Sequence, residues 1–346
     1  MNNLQRQGRV SFYMTSYGEE ASVVGSSAAW NQDDVVFAQY REQGVLLWRG
    51  CSLDYLMAQC FSTHSDQSSK GRQMPVHYSS KAHNFYSISS PLGTQIPQSS
   101  GAAYSLKRDI NLKKIKNDDN QKRCVVCYIG EGAASEGDFH AGVNMASVLG
   151  GPIVFFIRNN GFAISTPSNQ QFKGDGIASR AIGYGIKAIR VDGNDPIAVY
   201  LACKEARRLA IQGEGEPILV EAMTYRVGHH STSDDSSAYR NRSEVDEWRK
   251  KDNPVDRMRR FLEHQTWWNS TKEKDLIDSW KSKISKSTKL AEKAFKPEIS
   301  QMWTDVFYET DQLHLIQQKE ESEKVLKRWA KYKLYEHELD RYKSKE

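Results

Sequence analysis

The chain has 346 residues, 38% of them hydrophobic, which is enough to bury a sizeable core in one large domain or in a domain with an extension. Its net charge of +5 comes from interspersed basic and acidic residues, and no Lys/Arg run alternates with aromatic residues, which argues against a nucleic-acid-binding protein. No stretch approaches the roughly eighteen consecutive apolar residues that a membrane span requires, so none is predicted.

The cysteines and the N-terminus bear on the compartment. The five cysteines lack the spacing of a disulfide framework and suit a reducing environment. Cys124 and Cys127 have CxxC spacing, but they fall within a predicted buried strand without a second pair, so a structural role is expected. The N-terminus resembles neither a signal peptide nor an Arg-rich transit segment, as expected of a mature or a truncated form.

The first third of the chain predicts short elements separated by a long loop. Gly18 and Glu19 precede a predicted helix with acidic residues in its first turn. Residues 35–42 predict a strand that runs into a polar tip, and residues 53–61 predict a helix. Residues 62–87 lack apolar periodicity and predict a long loop, and loops of this length are commonly functional. A helix is expected just after Pro91, and residues 107–123 are interpreted as a solvated connection.

The central segment predicts a strand–helix–strand unit with polar groups at the strand ends. The apolar run at 124–129 is followed by Gly130, Glu131 and Gly132, and the run at 153–157 is followed by Arg158, Asn159 and Asn160. A helix packed on both sides is predicted between them, over 138–149. Ligands of such units lie at the carboxyl ends of the strands. A carboxylate, an amide oxygen and exposed backbone at that point suit a magnesium ion that holds a diphosphate.

Two other interpretations of this unit remain open at this point. A glycine-rich turn after a strand is also found in dinucleotide-binding proteins, but those usually have an acidic residue at the end of the second strand. Here the second strand ends in Arg158 and two asparagines, which disfavours a nicotinamide or flavin site. A structural turn without a ligand is the other alternative, since glycines often serve tight packing alone.

The following segment completes a predicted α/β fold. A strand is predicted at 187–191, then a helix with Asp195 as N-cap and Pro196 as its first residue, then a strand at 217–222. Strands that alternate with helices in this way predict a doubly wound parallel sheet. We therefore expect an α/β domain over 1–245 and a helical C-terminal extension over 246–346. The extension contains six of the eight tryptophans, which suggests burial against partner subunits.

Residues 225–242 form a polar loop directly after the last predicted strand. His230 could donate to a phosphate or stabilise charge that develops in a reaction, although a solvated loop is the alternative. A phosphoryl group on Ser231 would add roughly −1.5 to −2 charge. Next to Asp234 and Asp235, that charge would repel and disorder the loop.

These motifs resemble a known family. Gly130-Glu131-Gly132 followed by Asn159-Asn160 is similar to the thiamine diphosphate-binding motif, although aspartate usually stands in place of Glu131. The strings at 12–20, 71–78, 88–92 and 226–240 resemble the α subunits of the decarboxylating component of branched-chain 2-oxo acid dehydrogenases. The match extends over nearly the whole chain, from about residue 8, and is weakest over 240–346.

The resemblance implies roles for individual residues. Magnesium would be bound by the side chains of Glu131 and Asn160 and by the backbone carbonyl of Phe162, where many relatives have tyrosine. Contacts with thiamine diphosphate are implied for Tyr40, Arg41, Ser90, Gly132, Ala133, Arg158 and His230. A potassium ion that orders the loop would be bound by Ser89, Pro91, Thr94 and Gln95. His230 would lie at the active site, and Ser231 would be the site at which a kinase inactivates the enzyme; the family's second phosphorylated serine corresponds to Asn241.

The resemblance also implies an activity and partners. The family is an oxidoreductase of the 3-methyl-2-oxobutanoate dehydrogenase (2-methylpropanoyl-transferring) type. It decarboxylates branched-chain 2-oxo acids oxidatively and acylates the lipoyl group of an acyltransferase core, in the degradation of Leu, Ile and Val. Its α subunit pairs with a β subunit as an α2β2 heterotetramer in the mitochondrial matrix, under the control of a kinase and a phosphatase. A non-catalytic paralogue and the sister pyruvate enzyme are the alternatives; the intact set of site residues disfavours the first.

Overall fold

A computed structural model describes residues 1–112, 122–309, 311–332 and 339–342 of the chain. Its strands are β1 (Val35–Phe37), β2 (Val125–Gly130), β3 (Ile153–Asn159), β4 (Phe162–Ala163), β5 (Thr166–Pro167), β6 (Lys187–Asp192) and β7 (Pro217–Met223). Its helices are α1 (Asn2–Arg6), α2 (Glu20–Ala29), α3 (Gln43–Trp48), α4 (Leu53–Cys60), α5 (Gln95–Asn111), α6 (Gly137–Leu149), α7 (Ser168–Gln171), α8 (Ala181–Tyr184), α9 (Pro196–Ala210), α10 (Arg242–Lys251), α11 (Pro254–His264), α12 (Ser270–Lys293) and α13 (Leu313–Trp329).

The main sheet has the strand order β1-β2-β3-β7-β6, and all of its pairs are parallel. In register, Val125 lies opposite Ile153, and Phe155 lies opposite Leu219. The strands β2, β3 and β7 are buried along almost their whole length, as expected of parallel strands covered by helices on both faces. The predicted doubly wound parallel sheet is confirmed.

Alternate residues of the central strands enter two separate cores, one on each face of the sheet. Tyr128 and Phe156 belong to the core that α2 and α9 cover. Ile129 and Phe155 belong to the core that α5 and α6 cover. This alternation follows from the period of two in a strand, which sends successive side chains to opposite faces. The sheet thereby holds its carboxyl-terminal edge in one fixed geometry.

Some predicted elements differ from the structure in extent. The helix α6 buries Phe139, Val143 and Ala146 in the core that it shares with α5, and it also contacts α8, where Ser147 donates to the Tyr184 carbonyl. Val148, at its end, is 75% exposed among the described residues. The helix α5 continues to Asn111, into the predicted solvated connection, of which residues 113–121 lie outside the described residues.

The predicted N-cap of α9 and the predicted loop at 62–87 are confirmed. The N-cap of α9 is Asp195, whose side chain accepts from two backbone amides, with Pro196 as the first helical residue. Residues 62–87 form a loop with a short 3₁₀ turn at Lys81–His83. The C-terminal segment is largely helical where it is described, in α11, α12 and α13, and α10 begins at Arg242, before the predicted boundary at 245. All five cysteines are free and buried. Within the described ranges, no helix combines the length and the apolar character needed to cross a membrane.

A buried ion pair ties β1 to the helix α9. The Asp34 carboxylate is fully buried and accepts from Arg207 Nε at 2.7 Å, from Arg207 Nη2 at 3.0 Å, and from the Cys124 amide at 2.9 Å. Removing one partner of such a pair leaves an uncompensated buried charge, and that is more costly than the pair itself is favourable.

We expect Asp34→Ala to lower the free energy of unfolding by about 3–5 kcal/mol, because it leaves the largely buried Arg207 guanidinium without its carboxylate partner. The matched control is Glu205→Ala, which removes the exposed partner of Arg208 on the same helix and should leave stability unchanged. Urea unfolding followed by circular dichroism measures both. Equal losses in the two variants would contradict the assignment of Asp34 as an anchor.

Candidate cofactor and metal site

The carboxyl ends of β1, β2, β3 and β7 meet at one edge of the sheet. The chain leaves β1 at Gln39 and Tyr40, leaves β2 at Glu131, and leaves β3 at Asn160. Ligands of open parallel sheets bind at this edge. The polar residues that the sequence places after separate strands are therefore brought to one side of the molecule.

Glu131 is 1% exposed, and its Oε1 atom has no hydrogen-bond partner among the described residues. Burial raises the pKa of this carboxyl, and the negative charge of Glu19 nearby raises it further. Leaving a carboxylate oxygen buried and unpartnered is unfavourable unless something else binds it. A cation is the natural partner, because its charge offsets both burial and the neighbouring carboxylate.

The two asparagines after β3 have different roles. Asn159 Nδ2 donates to Glu221 Oε1 at 2.9 Å, within the sheet. Asn160 Nδ2 donates to Glu19 Oε1 at 2.9 Å, and Asn160 Oδ1 accepts from the Phe162 amide at 3.2 Å. An amide oxygen has two acceptor positions, so Asn160 Oδ1 keeps one for a metal ion. Asn159 is structural, whereas Asn160 is a candidate ligand.

The loop after β2 lies close to the β4 hairpin. A Cβ atom on Gly132 would lie 2.6 Å from the Cβ of Ala163, so only glycine allows the two backbones to approach in this way. Ala133 is buried in the short turn that follows. Phe162 is half-buried, and its ring faces the guanidinium groups of Arg226 and Arg240. The close approach holds the backbone of 131–133 beside that of 162–163.

Arg158, at the end of β3, is buried between two carboxylates. Its Nη1 donates to Glu19 Oε1 at 2.7 Å, and its Nε is paired with Glu42. Burial opposes the charged form, but the charges of Glu42 and Glu19 prevail and raise the pKa of Arg158. The guanidinium is therefore permanently charged at the strand ends, where an anionic group would approach.

Tyr40, Arg41 and His230 form a contiguous group beside it. The Tyr40 hydroxyl lies 3.2 Å from His230 Nε2, and Arg41 Nη2 donates to the His230 carbonyl at 3.0 Å. Arg41 Nε lies 3.7 Å from Glu19 Oε2. Burial, followed by the positive charges of Arg41 and Arg226, lowers the pKa of His230 to about 4. The imidazole is therefore neutral near pH 7. Burial also disfavours the charged form of Tyr40, and for a phenol this raises the pKa.

The predicted potassium ligands lie in one turn that leads into α5. Thr94 Oγ1 donates to the Pro91 carbonyl at 3.3 Å, and Gln95 Nε2 donates to the Tyr128 carbonyl at 3.1 Å, which ties the turn to β2. Ser89 is half-buried, whereas Ser90 is exposed and its Oγ lies 2.8 Å from His77 Nε2.

The polar loop at 226–240 is held by its own hydrogen bonds. Asp234 Oδ2 accepts from the His230 amide at 2.7 Å and from the Tyr239 hydroxyl at 2.6 Å. Ser231 is 9% exposed, and its Oγ accepts from the Ser233 amide at 3.2 Å. The carboxylate of Asp234 therefore fixes the backbone that carries His230.

Three residues of this site are not predicted by the sequence motifs: Glu19, Gln39 and Glu42. Glu19 and Glu42 are fully buried and pair with Arg158, and Gln39 Oε1 accepts from the Gly130 amide at 2.7 Å. The sequence pattern predicts Glu19 at a helix start and Glu42 at a polar tip. Neither glutamate lies in a motif with the strand-end residues. The one signal in the sequence is that Glu19 is a charged residue at the start of a helix made otherwise largely of small and apolar residues.

The donor set limits what can bind. In the part of the chain that the structure describes, no three His, Cys, Asp or Glu side chains cluster as a metal site. One carboxylate, one amide oxygen and backbone carbonyls are hard oxygen ligands, which suit magnesium that keeps some of its waters or binds a phosphate. The residues therefore fit a magnesium ion, and the arginines nearby fit the anion that such an ion accompanies.

Comparison with known proteins gives consistent matches. Residues 1–300 match the family model described as the dehydrogenase E1 component. The chain is 55% identical over 305 residues to "2-oxoisovalerate dehydrogenase subunit alpha, mitochondrial" of Mus musculus and equally to that of Homo sapiens, covering 88% of this chain. It is 50% identical over 320 residues to the protein of that name in Dictyostelium discoideum, covering 92% of this chain and 70% of the relative. The chain spans 66% of the length of the mouse and human relatives.

We expect Glu131→Gln to remove Mg²⁺ binding while the metal-free protein stays folded, because the substitution replaces a buried, unpartnered carboxylate by a neutral group of the same shape. Thermal unfolding with and without Mg²⁺ and thiamine diphosphate measures this, since a ligand that binds only the folded state raises its stability. Glu136→Gln, at an exposed position nearby, is the control and should keep the full ligand-induced shift. An undiminished shift in Glu131→Gln would refute the assignment.

Proposed function

Because the chain belongs to the dehydrogenase E1 component family, we propose that it is the α subunit of a branched-chain 2-oxo acid dehydrogenase. It would take part in the oxidative decarboxylation of branched-chain 2-oxo acids and the acylation of a lipoyl group, in the degradation of Leu, Ile and Val. The observation that carries the proposal is the unpartnered Glu131 oxygen beside Asn160 at the sheet edge. The names of the similar proteins, 2-oxoisovalerate dehydrogenase α subunits, support the choice of substrate class.

In this proposal, magnesium is held by Glu131, by Asn160 Oδ1 and by the Phe162 carbonyl. Thiamine diphosphate is proposed to be held by Tyr40, Arg41, Ser90, Gly132, Ala133, Arg158 and His230. The bound cofactor supplies a nucleophilic carbon for the substrate carbonyl and accepts the electrons that remain when carbon dioxide leaves. The protein's part is to bind and orient these groups.

The charges of the site suit a diphosphate. The guanidinium groups of Arg41 and Arg158 lie at this edge, and Gly132 keeps the backbone that follows β2 close to that of Ala163. The positive charges are balanced by Glu19 and Glu42. A magnesium ion at Glu131 would restore positive potential where the phosphates bind, so metal and diphosphate are expected to bind together.

His230 acts in this proposal as a neutral hydrogen-bonding group. Its low pKa means that the imidazole approaches the substrate without a charge of its own. The Tyr40 hydroxyl at 3.2 Å from Nε2 is protonated at neutral pH, so either ring nitrogen can carry the proton as the tautomer adjusts. His230 can therefore donate to the cofactor or stabilise charge that develops in the substrate.

Partners complete the proposed enzyme. The single chain leaves large apolar side chains in solvent, among them Val148 at 75%, Ile182 at 86% and Trp267 at 62% exposure, and such exposure is typical of subunit interfaces. We propose a β subunit in an α2β2 heterotetramer that supplies the rest of the active site. The lipoyl-bearing acyltransferase core is the proposed acceptor of the acyl group. The 246–346 segment is proposed as a helical extension that packs on these subunits.

A potassium site is part of the same proposal. The turn formed by Ser89, Pro91, Thr94 and Gln95 is proposed to bind K⁺ and so to hold Ser90 in place for the cofactor. The Gln95 bond to the Tyr128 carbonyl supports this, because it ties the turn to the strand that precedes Glu131.

The relatives carry the word mitochondrial in their names, and we propose the mitochondrial matrix for this chain.

The proposal is tested by co-expressing the chain with a β subunit and measuring decarboxylation of 3-methyl-2-oxobutanoate and of pyruvate, with and without Mg²⁺ and thiamine diphosphate. We expect turnover that requires both cofactors and prefers the branched acid. Preference for pyruvate would assign the chain to the sister complex. No turnover of either acid by an assembled tetramer would make the chain a non-catalytic subunit.

We also propose that phosphorylation of Ser231 by a dedicated kinase, reversed by a phosphatase, inactivates the enzyme. A phosphoryl group would add roughly −1.5 to −2 charge beside Asp234, which holds the His230 amide at 2.7 Å. Repulsion would release that bond and displace His230. Because Ser231 is 9% exposed, a kinase would reach it only when the loop opens, which suits a switch that senses the state of the site.

We expect Ser231→Glu to lower the decarboxylation rate by about tenfold or more, because it places a carboxylate beside Asp234. Ser231→Ala should keep activity and resist the kinase. The matched control is Ser237→Glu, at an exposed position of the same loop, which should stay active. Comparable rates for the two glutamate variants would count against the regulatory proposal.

A further inference from the structure

Glu19 is placed at the sheet edge by the glycine before it. Gly18 has φ of +97°, and a Cβ atom there would lie 2.4 Å from the Tyr225 carbonyl oxygen, so the backbone can adopt this turn only as glycine. The turn seats the start of α2 against the chain that continues β7. It leaves the Glu19 side chain with no exposure to solvent.

One oxygen of Glu19 accepts two hydrogen bonds. Oε1 accepts from Asn160 Nδ2 at 2.9 Å and from Arg158 Nη1 at 2.7 Å. Oε2 accepts no hydrogen bond in the described ranges and lies 3.7 Å from Arg41 Nε. The carboxylate is thus hydrogen-bonded to the Asn160 amide and to Arg158, and it forms an ion pair with Arg41.

These contacts decide which way the Asn160 amide faces. With Nδ2 held by Glu19, the Oδ1 atom is directed to the other side, where it accepts from the Phe162 amide at 3.2 Å. The reversed orientation would set two oxygens 2.9 Å apart and turn an NH₂ group toward the Phe162 amide. Both changes are repulsive, so the amide is fixed from its two ends.

We infer that Glu19 is a positioning residue of the metal site, which holds Asn160 so that Oδ1 is presented to the magnesium ion. The inference rests on the proposed function, because it assumes that Asn160 is a magnesium ligand. Outer-shell carboxylates that orient a ligand are known to matter about as much as the ligands, and losing one typically costs about 10–100-fold in metal affinity. Glu19 would act through Asn160 without touching the metal.

Glu42 provides a matched comparison. Like Glu19, it is fully buried and is ion-paired with Arg158. Its other carboxylate oxygen accepts from the Gln39 amide at 2.8 Å, and no contact with Asn160 is found in the part of the chain described. Removing either carboxylate therefore takes one negative charge from Arg158, but only the Glu19 change releases Asn160.

The experiment measures the Mg²⁺ concentration that half-saturates thiamine diphosphate binding, followed by quenching of tryptophan fluorescence in the co-expressed α/β assembly. We expect Glu19→Met to raise this concentration about tenfold or more, and Glu42→Met to raise it much less. Glu19→Gln should stay near the unmodified value, because a single oxygen in the place of Oε1 can keep both hydrogen bonds. This ordering would not arise from a merely structural role.

The outcomes separate the inference from the proposed function. If the unmodified assembly shows no Mg²⁺-dependent binding of thiamine diphosphate, the proposed function fails. If it does, the inference is overturned when Glu19→Met keeps the unmodified Mg²⁺ requirement, or when Glu42→Met shifts it equally. Should Glu19→Met yield no folded assembly, Glu19→Asp replaces it, since this change keeps the charge but withdraws the oxygen from Asn160. An unchanged Mg²⁺ requirement in Glu19→Asp would likewise refute the inference.

Discussion

The candidate site depends on a buried cluster of four charges at the carboxyl edge of the sheet: Glu19, Glu42, Arg41 and Arg158. They come from three places in the chain: Glu19 from the start of α2, Arg41 and Glu42 from the connection between β1 and α3, and Arg158 from the end of β3. Removing such charges from water is costly, and the cost is offset only when every partner is in place. The cluster therefore couples the elements around it and keeps their ends in one arrangement.

The hydrogen-bond and ion-pair partners of the buried carboxylates distinguish Glu131 from the others. Glu221 is fully buried and accepts from Asn159, Arg190 and the amides of Ile177 and Ala178. Asp34 is satisfied in the same way by Arg207 and Cys124. Glu131 is as deeply buried, yet one of its oxygens has no partner in the described residues. Glu19 Oε2 also accepts no hydrogen bond in the described residues, but it lies 3.7 Å from Arg41 Nε. The Glu131 oxygen has no such cation beside it among the described residues, which leaves it available for a bound cation.

The groups around the Glu131 oxygen are fixed in the geometry that ligand binding needs. The close approach at Gly132, the amide of Asn160 fixed from both ends, and the neutral His230 held by Asp234 are all fixed by contacts within the chain itself. Such preorganisation lowers the cost of binding and of charge development in a reaction. The exposed apolar side chains on α6 and α8 lie outside this arrangement and are consistent with a site that a second subunit completes.

The sequence alone determined the five strands of the main sheet, its doubly wound parallel class and the strand-end positions of Glu131, Arg158 and Asn160, because these follow from local periodicity and from motifs of neighbouring residues. It also determined the Asp195 cap of α9. Only the tertiary structure decided that Glu19 and Glu42 enclose Arg158, that Asn159 turns into the sheet while Asn160 faces the site, and that Val148 is left exposed. The reason is physical: these contacts join residues far apart in the chain, and a buried charge finds its partner by position in the fold and not by spacing in the sequence.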